Sequence, residues 1–154
     1  MEQLTKVQAA DGKQEIVVTR EFALPLGLLF RAFEDPELFE QWMGTKVLKM
    51  DNRKHGAYAF ETSYHGNVVF RANGTIHEFV QNERITRTFE MENTPFPVQL
   101  EYLEFEELDA ATSKLTMHIV FKSTEHRNQL LQMPFAQGIN MAHDQLQEIM
   151  TKLR

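Results

Sequence analysis

Cysteine is absent from the 154 residues. That removes disulfide staples, thiolate-held zinc, iron–sulfur clusters and a thiol nucleophile from consideration. It suits a reducing compartment, and a cytoplasmic location is expected. No run approaches the roughly 18 consecutive apolar residues that a membrane-spanning helix requires, so no membrane insertion is expected. The N-terminal stretch MEQLTKVQAADGKQ has neither a basic region nor an apolar core of the secretory kind. Basic runs are also missing. Sixteen Lys and Arg stand against 22 Asp and Glu, for a formal charge of −6. A net-acidic surface without clustered cations repels a phosphate backbone, which excludes nucleic acid as an expected partner. The seven glycines are scattered, and no phosphate-cradling loop, nucleophile elbow or zincin motif occurs.

What is plentiful is phenylalanine: 12 residues, beside a single Trp and three Tyr, in a chain that is 42% apolar. This much bulky side chain implies a folded core rather than a disordered tail. The length fits one domain. Residues 1–14 are polar and aperiodic and read as a loose, partly flexible leader whose last residues join the first strand. Residues 15–154 are expected to form a single domain.

EIVVTREF (15–22) is β-branched and aromatic, as a strand requires. Leu26, Leu29, Phe30 and Phe33 then recur at helical spacing after Pro25. Asp35-Pro36-Glu37 is an N-cap followed by a preorganised first turn, so a second short helix runs from Pro36 to Met43 and stops at Gly44. Alternating segments follow: 46–51, 56–64, 68–80, 83–92, 98–108 and 113–123. Asn73-Gly74 is a hairpin signal, but a turn there leaves two very short strands. One long strand with a bulge or kink at Gly74 is the better reading. A helix from about Pro134 to Leu153 carries Phe135, Ile139, Ala142, Leu146, Ile149 and Leu153 on one face. The opposite face, with Asn140, His143 and Asp144, is polar. Strand, two short helices, six strands and one long helix make an α+β domain with an antiparallel sheet.

Few residues suggest chemistry. The six histidines are dispersed singly, so no metal site is expected and they read as surface residues. Glu104 and Glu106 share a face with Val98, Leu100 and Tyr102, and a solvated outer face is the favoured reading of these carboxylates. Arg87 falls between Ile85 and Phe89 on the face that alternation turns inward. It either pairs there with Glu104 or Glu106, or meets a ligand anion, or snorkels to the rim of the sheet. Trp42, Tyr58, Phe60, Tyr64, Phe70, Phe89, Tyr102 and Phe135 either fill a core or line a hollow one.

Several stretches together resemble the homologues of the activator of heat-shock-protein-90 ATPase. They are the strand Val18–Phe22, then Pro25, Phe30 and Ala32, Asp35-Pro36-Glu37 and Trp42-Met43-Gly44. Asp51-x-Arg53-x-x-Gly56-x-Tyr58 continues the likeness, followed by Gly74, Glu78, Glu83-Arg84-Ile85 and Gly138. The resemblance spans about residues 15–153, with departures at Met43 and Ile139, where that family often carries Trp. It implies the START-like (SRPBCC) helix-grip fold, a curved antiparallel sheet gripping a long C-terminal helix. It also implies a cavity that takes a small hydrophobic or amphipathic ligand of lipid, polyketide or aromatic type. The expected ligand-binding set is Trp42, Tyr58, Phe60, Tyr64, Phe70, Arg87, Phe89, Tyr102, Phe135 and Ile139, with no cofactor and no shared catalytic residue. A cyclase or hydrolase using the same cavity, with Arg87 and Glu104 as its polar pair, is the alternative. A homodimer is compatible with this reading. A chaperone-regulating role ranks last, because eukaryotic activators carry an additional N-terminal domain for which 154 residues leave no room.

Overall fold

The computed structural model describes residues 4–154, so the first three residues of the expected leader lie outside the described residues. Among the described residues the chain forms strands β1 (Lys6–Gln8) and β2 (Glu15–Phe22), then helices α1 (Leu26–Glu34) and α2 (Pro36–Met43). Six strands follow: β3 (Lys46–Met50), β4 (Ala57–Tyr64), β5 (Asn67–Val80), β6 (Arg84–Met91), β7 (Gln99–Asp109) and β8 (Thr112–Val120). Helices α3 (Thr124–Gln132) and α4 (Phe135–Thr151) close the chain. All strands join one antiparallel sheet in the order β1-β2-β8-β7-β6-β5-β4-β3. The α+β helix-grip architecture expected from the sequence is what the chain adopts.

Local chemistry accounts for the elements that carry the interior. Asp35 caps α2, its Oδ1 accepting from the backbone N–H of Glu37 at 2.9 Å and of Leu38 at 3.4 Å, with Pro36 in the first turn. The β5 segment is one strand of 14 residues, not a hairpin. Gly74 sits at a close approach within the sheet: a Cβ there would stand 2.0 Å from the Thr88 carbonyl oxygen and 2.6 Å from the Tyr58 ring. The cross-strand Tyr58 ring covers the glycine, and its hydroxyl donates to the Thr88 carbonyl at 2.6 Å.

Two elements differ from expectation. Within the expected leader, Lys6–Gln8 forms a short strand that pairs with Val17–Thr19, and the Thr5 N–H donates to Asn140 Oδ1 of α4 at 3.1 Å. Before Phe135 there is a separate helix, α3, capped by Ser123, whose Oγ accepts from the His126 N–H at 3.1 Å. Polar residues dominate α3, so no apolar stripe announces it, yet it buries Leu130 and Arg127. The Arg127 guanidinium donates to the Ala10 carbonyl, tying the leader to α3.

Much of the phenylalanine excess is packed solid. Phe30 meets Phe105 at 4.9 Å and Phe79 at 5.4 Å between centroids, Phe33 meets Trp42 at 5.1 Å, and Phe39 meets Trp42 and Phe60 at 5.3 Å each. Such tilted and edge-to-face pairs add roughly 0.5–1.5 kcal/mol each beyond area burial. They bind α1 and α2 to the sheet and fix one end of the interior.

Candidate functional site

The interior is not filled throughout. A cavity of about 200 Å³ lies between the sheet and α4, lined mostly by apolar groups. The sheet contributes Phe60 from β4, Arg87, Phe89 and Met91 from β6, Gln99 and Glu101 from β7, and Met117 and Ile119 from β8. Phe33, Phe39, Trp42 and Met43 close one end, and Leu130, Phe135, Ile139 and His143 complete the wall on the helical side. Grooves of about 320 Å³ at the start of β5 and about 490 Å³ between α2 and α4 are larger but lined mainly by exposed residues.

Of the residues expected to meet a ligand, Trp42, Phe60, Arg87, Phe89, Phe135 and Ile139 line this cavity. Four do not. Tyr58 is buried beneath it, spent on covering Gly74 and on the face of Arg87, whose Cζ lies 5.2 Å from the ring centroid. Burial pushes the Tyr58 phenol well above its ordinary range, and the neighbouring Arg87 charge only partly offsets that. Phe70 packs against Phe60 at 6.1 Å and lines the groove at the start of β5 instead. Tyr64 is 66% exposed beside the β4–β5 turn, its ring edge against His65. Tyr102 is on the outer face of β7, 38% exposed and near His118.

The outward course of Tyr102 follows from register. In β7 the odd positions Gln99, Glu101, Leu103 and Phe105 are buried, while Tyr102, Glu104 and Glu106 face out. Both faces of this strand mix apolar residues with carboxylates, so alternation alone does not decide between them. The same register pairs Arg87 with Glu101 directly across β6 and β7. Arg87 is therefore inward, and its partner is Glu101, not Glu104 or Glu106. Arg87 Nε donates to Glu101 Oε1 at 3.0 Å, with side-chain exposures of 16% and 6%. Gln99 Nε2 donates to the other carboxylate oxygen at 2.8 Å. Burial works against the guanidinium charge, but Tyr58 and Glu101 more than compensate, and its proton is held more tightly than usual.

A second polar group runs against the sequence pattern. His143, expected on the polar face of the last helix, is 1% exposed and packs edge-on against Phe22 at 5.6 Å. The buried stripe of α4 is His143, Leu146 and Met150, one position round from the apolar set read from sequence; Leu153 is 45% exposed. The spacing Ile139, His143, Leu146, Met150 is the available signal, hidden because histidine counts as polar. Burial, then the nearby Arg20 charge, lowers the His143 pKa to about 4, so the ring is neutral at pH 7. Its Nδ1 lies 2.8 Å from the Thr5 hydroxyl. Arg20, itself 4% exposed, pairs with Asp144 at 2.8 Å and reaches Thr5 Oγ1 at 3.3 Å.

Among the described residues no three His, Asp or Glu side chains are grouped as metal ligands, and no helix is long and apolar enough to cross a membrane.

An eight-stranded antiparallel sheet, a long terminal helix packed across it and a partly open cavity between them define a helix-grip domain of the START-like (SRPBCC) class. Within that class the chain belongs to the family described as Activator of Hsp90 ATPase homolog 1-like protein, which it matches over residues 23–151. Solved structures share the fold. Protein Ms6760 from Mycobacterium smegmatis is 22% identical with a TM-score of 0.84, over 95% of this chain and 96% of that one. A Staphylococcus epidermidis protein is 20% identical with a TM-score of 0.81, over 97% and 95% of the two chains. Protein CV1439 from Chromobacterium violaceum is 24% identical with a TM-score of 0.71, over 89% and 96%. No curated protein matches significantly.

Proposed function

We propose that this protein binds a small hydrophobic or amphipathic molecule in the cavity between sheet and α4. One observation carries the reading: the apolar hollow of about 200 Å³ receives only a few polar groups, Arg87, Gln99, Glu101 and His143. Apolar walls with a small number of placed polar groups are the usual composition of a ligand site. Each of those groups would cost free energy to bury unless it were paired or had a use. The family's fold supports the same reading.

A thermal-shift screen against small aromatic and acyl compounds tests it. A ligand at ten times its Kd adds about 1.4 kcal/mol, or about 4 °C in Tm for a chain of this size. Ile139→Trp places a large side chain in the cavity wall and should abolish the shift while leaving the protein folded. Shifts that persist unchanged in Ile139→Trp would place the binding elsewhere and overturn the reading.

A cyclase- or hydrolase-type enzyme is the second reading, favoured by the presence of Glu101, Arg87 and His143 in one cavity. It ranks below binding because both Glu101 oxygens already accept hydrogen bonds from the protein. A general base must come within hydrogen-bond reach of the substrate proton, and these contacts hold the carboxylate against the protein's own donors.

A further inference from the structure

The size and the hydrogen-bonding balance of the cavity narrow its occupant. Apolar cavities of about 150 Å³ accept benzene, so about 200 Å³ holds one ring with two or three further heavy atoms. Pockets for drug-sized ligands run to roughly 300–1,000 Å³, so this cavity is too small to bury most of a multi-ring compound or a long acyl chain.

Charge comes next. Arg87 and Glu101 neutralise each other in direct contact, so the wall carries no net charge for an anion to meet. An anionic ligand would shed its water and then compete with Glu101 for the guanidinium, a desolvation cost with no new compensation.

The unspent hydrogen-bonding atoms are mainly donors. Glu101 has both oxygens engaged, by Arg87 and by Gln99, which leaves Gln99 Oε1, among the described residues, as the one amide acceptor in the wall against several free N–H groups. Arg87 uses only Nε toward the protein among the described residues, which leaves its terminal N–H groups unpaired. The histidine tautomer follows from its neighbours. Thr5 Oγ1 accepts from Arg20 Nη1 at 3.3 Å and lies 2.8 Å from His143 Nδ1. Nδ1 is the one acceptor that pairs with the Thr5 hydroxyl hydrogen among the described residues, and the nearby Arg20 charge opposes a proton on that nitrogen. The proton therefore sits on Nε2, the ring's remaining polar atom, and it has no partner among the described residues.

We infer that the cavity selects an uncharged carbonyl compound of single-ring size, its oxygen accepting hydrogen bonds from His143 Nε2–H or the terminal N–H groups of Arg87. This rests on the ligand-binding reading above and adds size, charge and polarity to it.

NMR titrations of the full chain with five probes separate the possibilities. Acetophenone has the right size and a neutral carbonyl; benzoate is of similar size but anionic; ethylbenzene lacks the acceptor. 2-Acetylnaphthalene and palmitate are too large. Acetophenone should bind at least about tenfold more tightly than benzoate and about fivefold more tightly than ethylbenzene, the latter equivalent to one net hydrogen bond. The two oversized probes should not saturate. In His143→Phe or in Arg87→Met the preference for acetophenone over ethylbenzene should shrink. The two variants test the donors separately, so a folding failure in one leaves the other informative. Benzoate binding as tightly as acetophenone, or an unchanged preference in both variants, overturns the inference. Saturable binding of palmitate alone overturns it but leaves the ligand-binding reading standing. No binding by any of the five removes both.

Discussion

Removing the charge of Glu101 should be one of the costliest isosteric changes in the cavity wall. Glu101→Gln keeps the shape but leaves Arg87 inward with no counter-charge, and Arg87 and Glu101 have side chains only 16% and 6% exposed. Both carboxylate oxygens accept hydrogen bonds, at 3.0 Å from Arg87 and 2.8 Å from Gln99. An amide at this position offers one acceptor and turns an N–H₂ toward one of those donors. Breaking a buried pair from one side costs about 3–5 kcal/mol, and the lower end, about 3 kcal/mol, suits a pair at the edge of a cavity. Arg87→Met should cost a similar amount, because it strands the carboxylate. The double variant Arg87→Met/Glu101→Met removes both charges together and should lie within about 1 kcal/mol of the parent. Urea unfolding of the four proteins supplies the measurement. At a slope of roughly 2 kcal/mol/M each single variant should lose about 1.5 M in midpoint. The double variant should recover most of that, giving a coupling energy of several kcal/mol. Single-variant losses under about 1 kcal/mol that simply add would mean that the pair behaves as a solvated surface bridge, which would refute its role as a buried, coupled pair.

Other outcomes follow from the same contacts. His143 binds its proton with a pKa of about 4 in the folded chain, against an ordinary value of 6.5 once unfolded. The unfolded chain therefore takes up more protons between those values, and stability is complete above about pH 6.5 and falls as pH drops toward 4. The loss is on the order of 3 kcal/mol; His143→Phe should flatten that segment of the stability profile, and an unchanged profile would contradict the buried placement. Gly74→Ala puts a Cβ 2.0 Å from the Thr88 oxygen and should cost about 3 kcal/mol or prevent folding, by the same overpacking that strains filled cores. Tyr58→Phe deletes only the bond to the Thr88 carbonyl and should cost about 1 kcal/mol in chemical denaturation.

Where sequence periodicity and side-chain chemistry agree, the fold is legible. Asp35-Pro36-Glu37 marks α2 because the cap, the fixed proline φ and the acidic first turn all act locally. β6 is legible as a strand because Ile85, Arg87, Phe89 and Met91 alternate with polar residues, but alternation alone leaves an inward and a snorkelling course of Arg87 both open. The partner of Arg87 cannot be read from one strand. It depends on the register between β6 and β7, a non-local quantity, and β7 carries carboxylates on both faces. The inward placement of Arg87 holds part of the missing information, because a buried guanidinium demands a carboxylate opposite. His143 escapes for a different reason: its burial depends on Thr5 and Phe22, far away in sequence, and helical patterning counts an imidazole as polar. The strand β1 escapes because three residues cannot show a period, and its stability comes from pairing with β2 and from the Thr5–Asn140 bond. Tyr64 and Tyr102 look like cavity residues because aromatic side chains commonly seek the interior; amphipathic tyrosines at a turn and on an outer face need no such burial.

The central claim is that the hollow beneath α4 is apolar, accessible and able to hold a small molecule. Diffraction from crystals pressurised with xenon tests it most directly, since the gas enters dry cavities and needs no knowledge of the natural ligand. A xenon site is expected between Phe60, Met117 and Ile139, absent in Ile139→Trp. Xenon found only in the groove between α2 and α4, or nowhere in the interior, would contradict it.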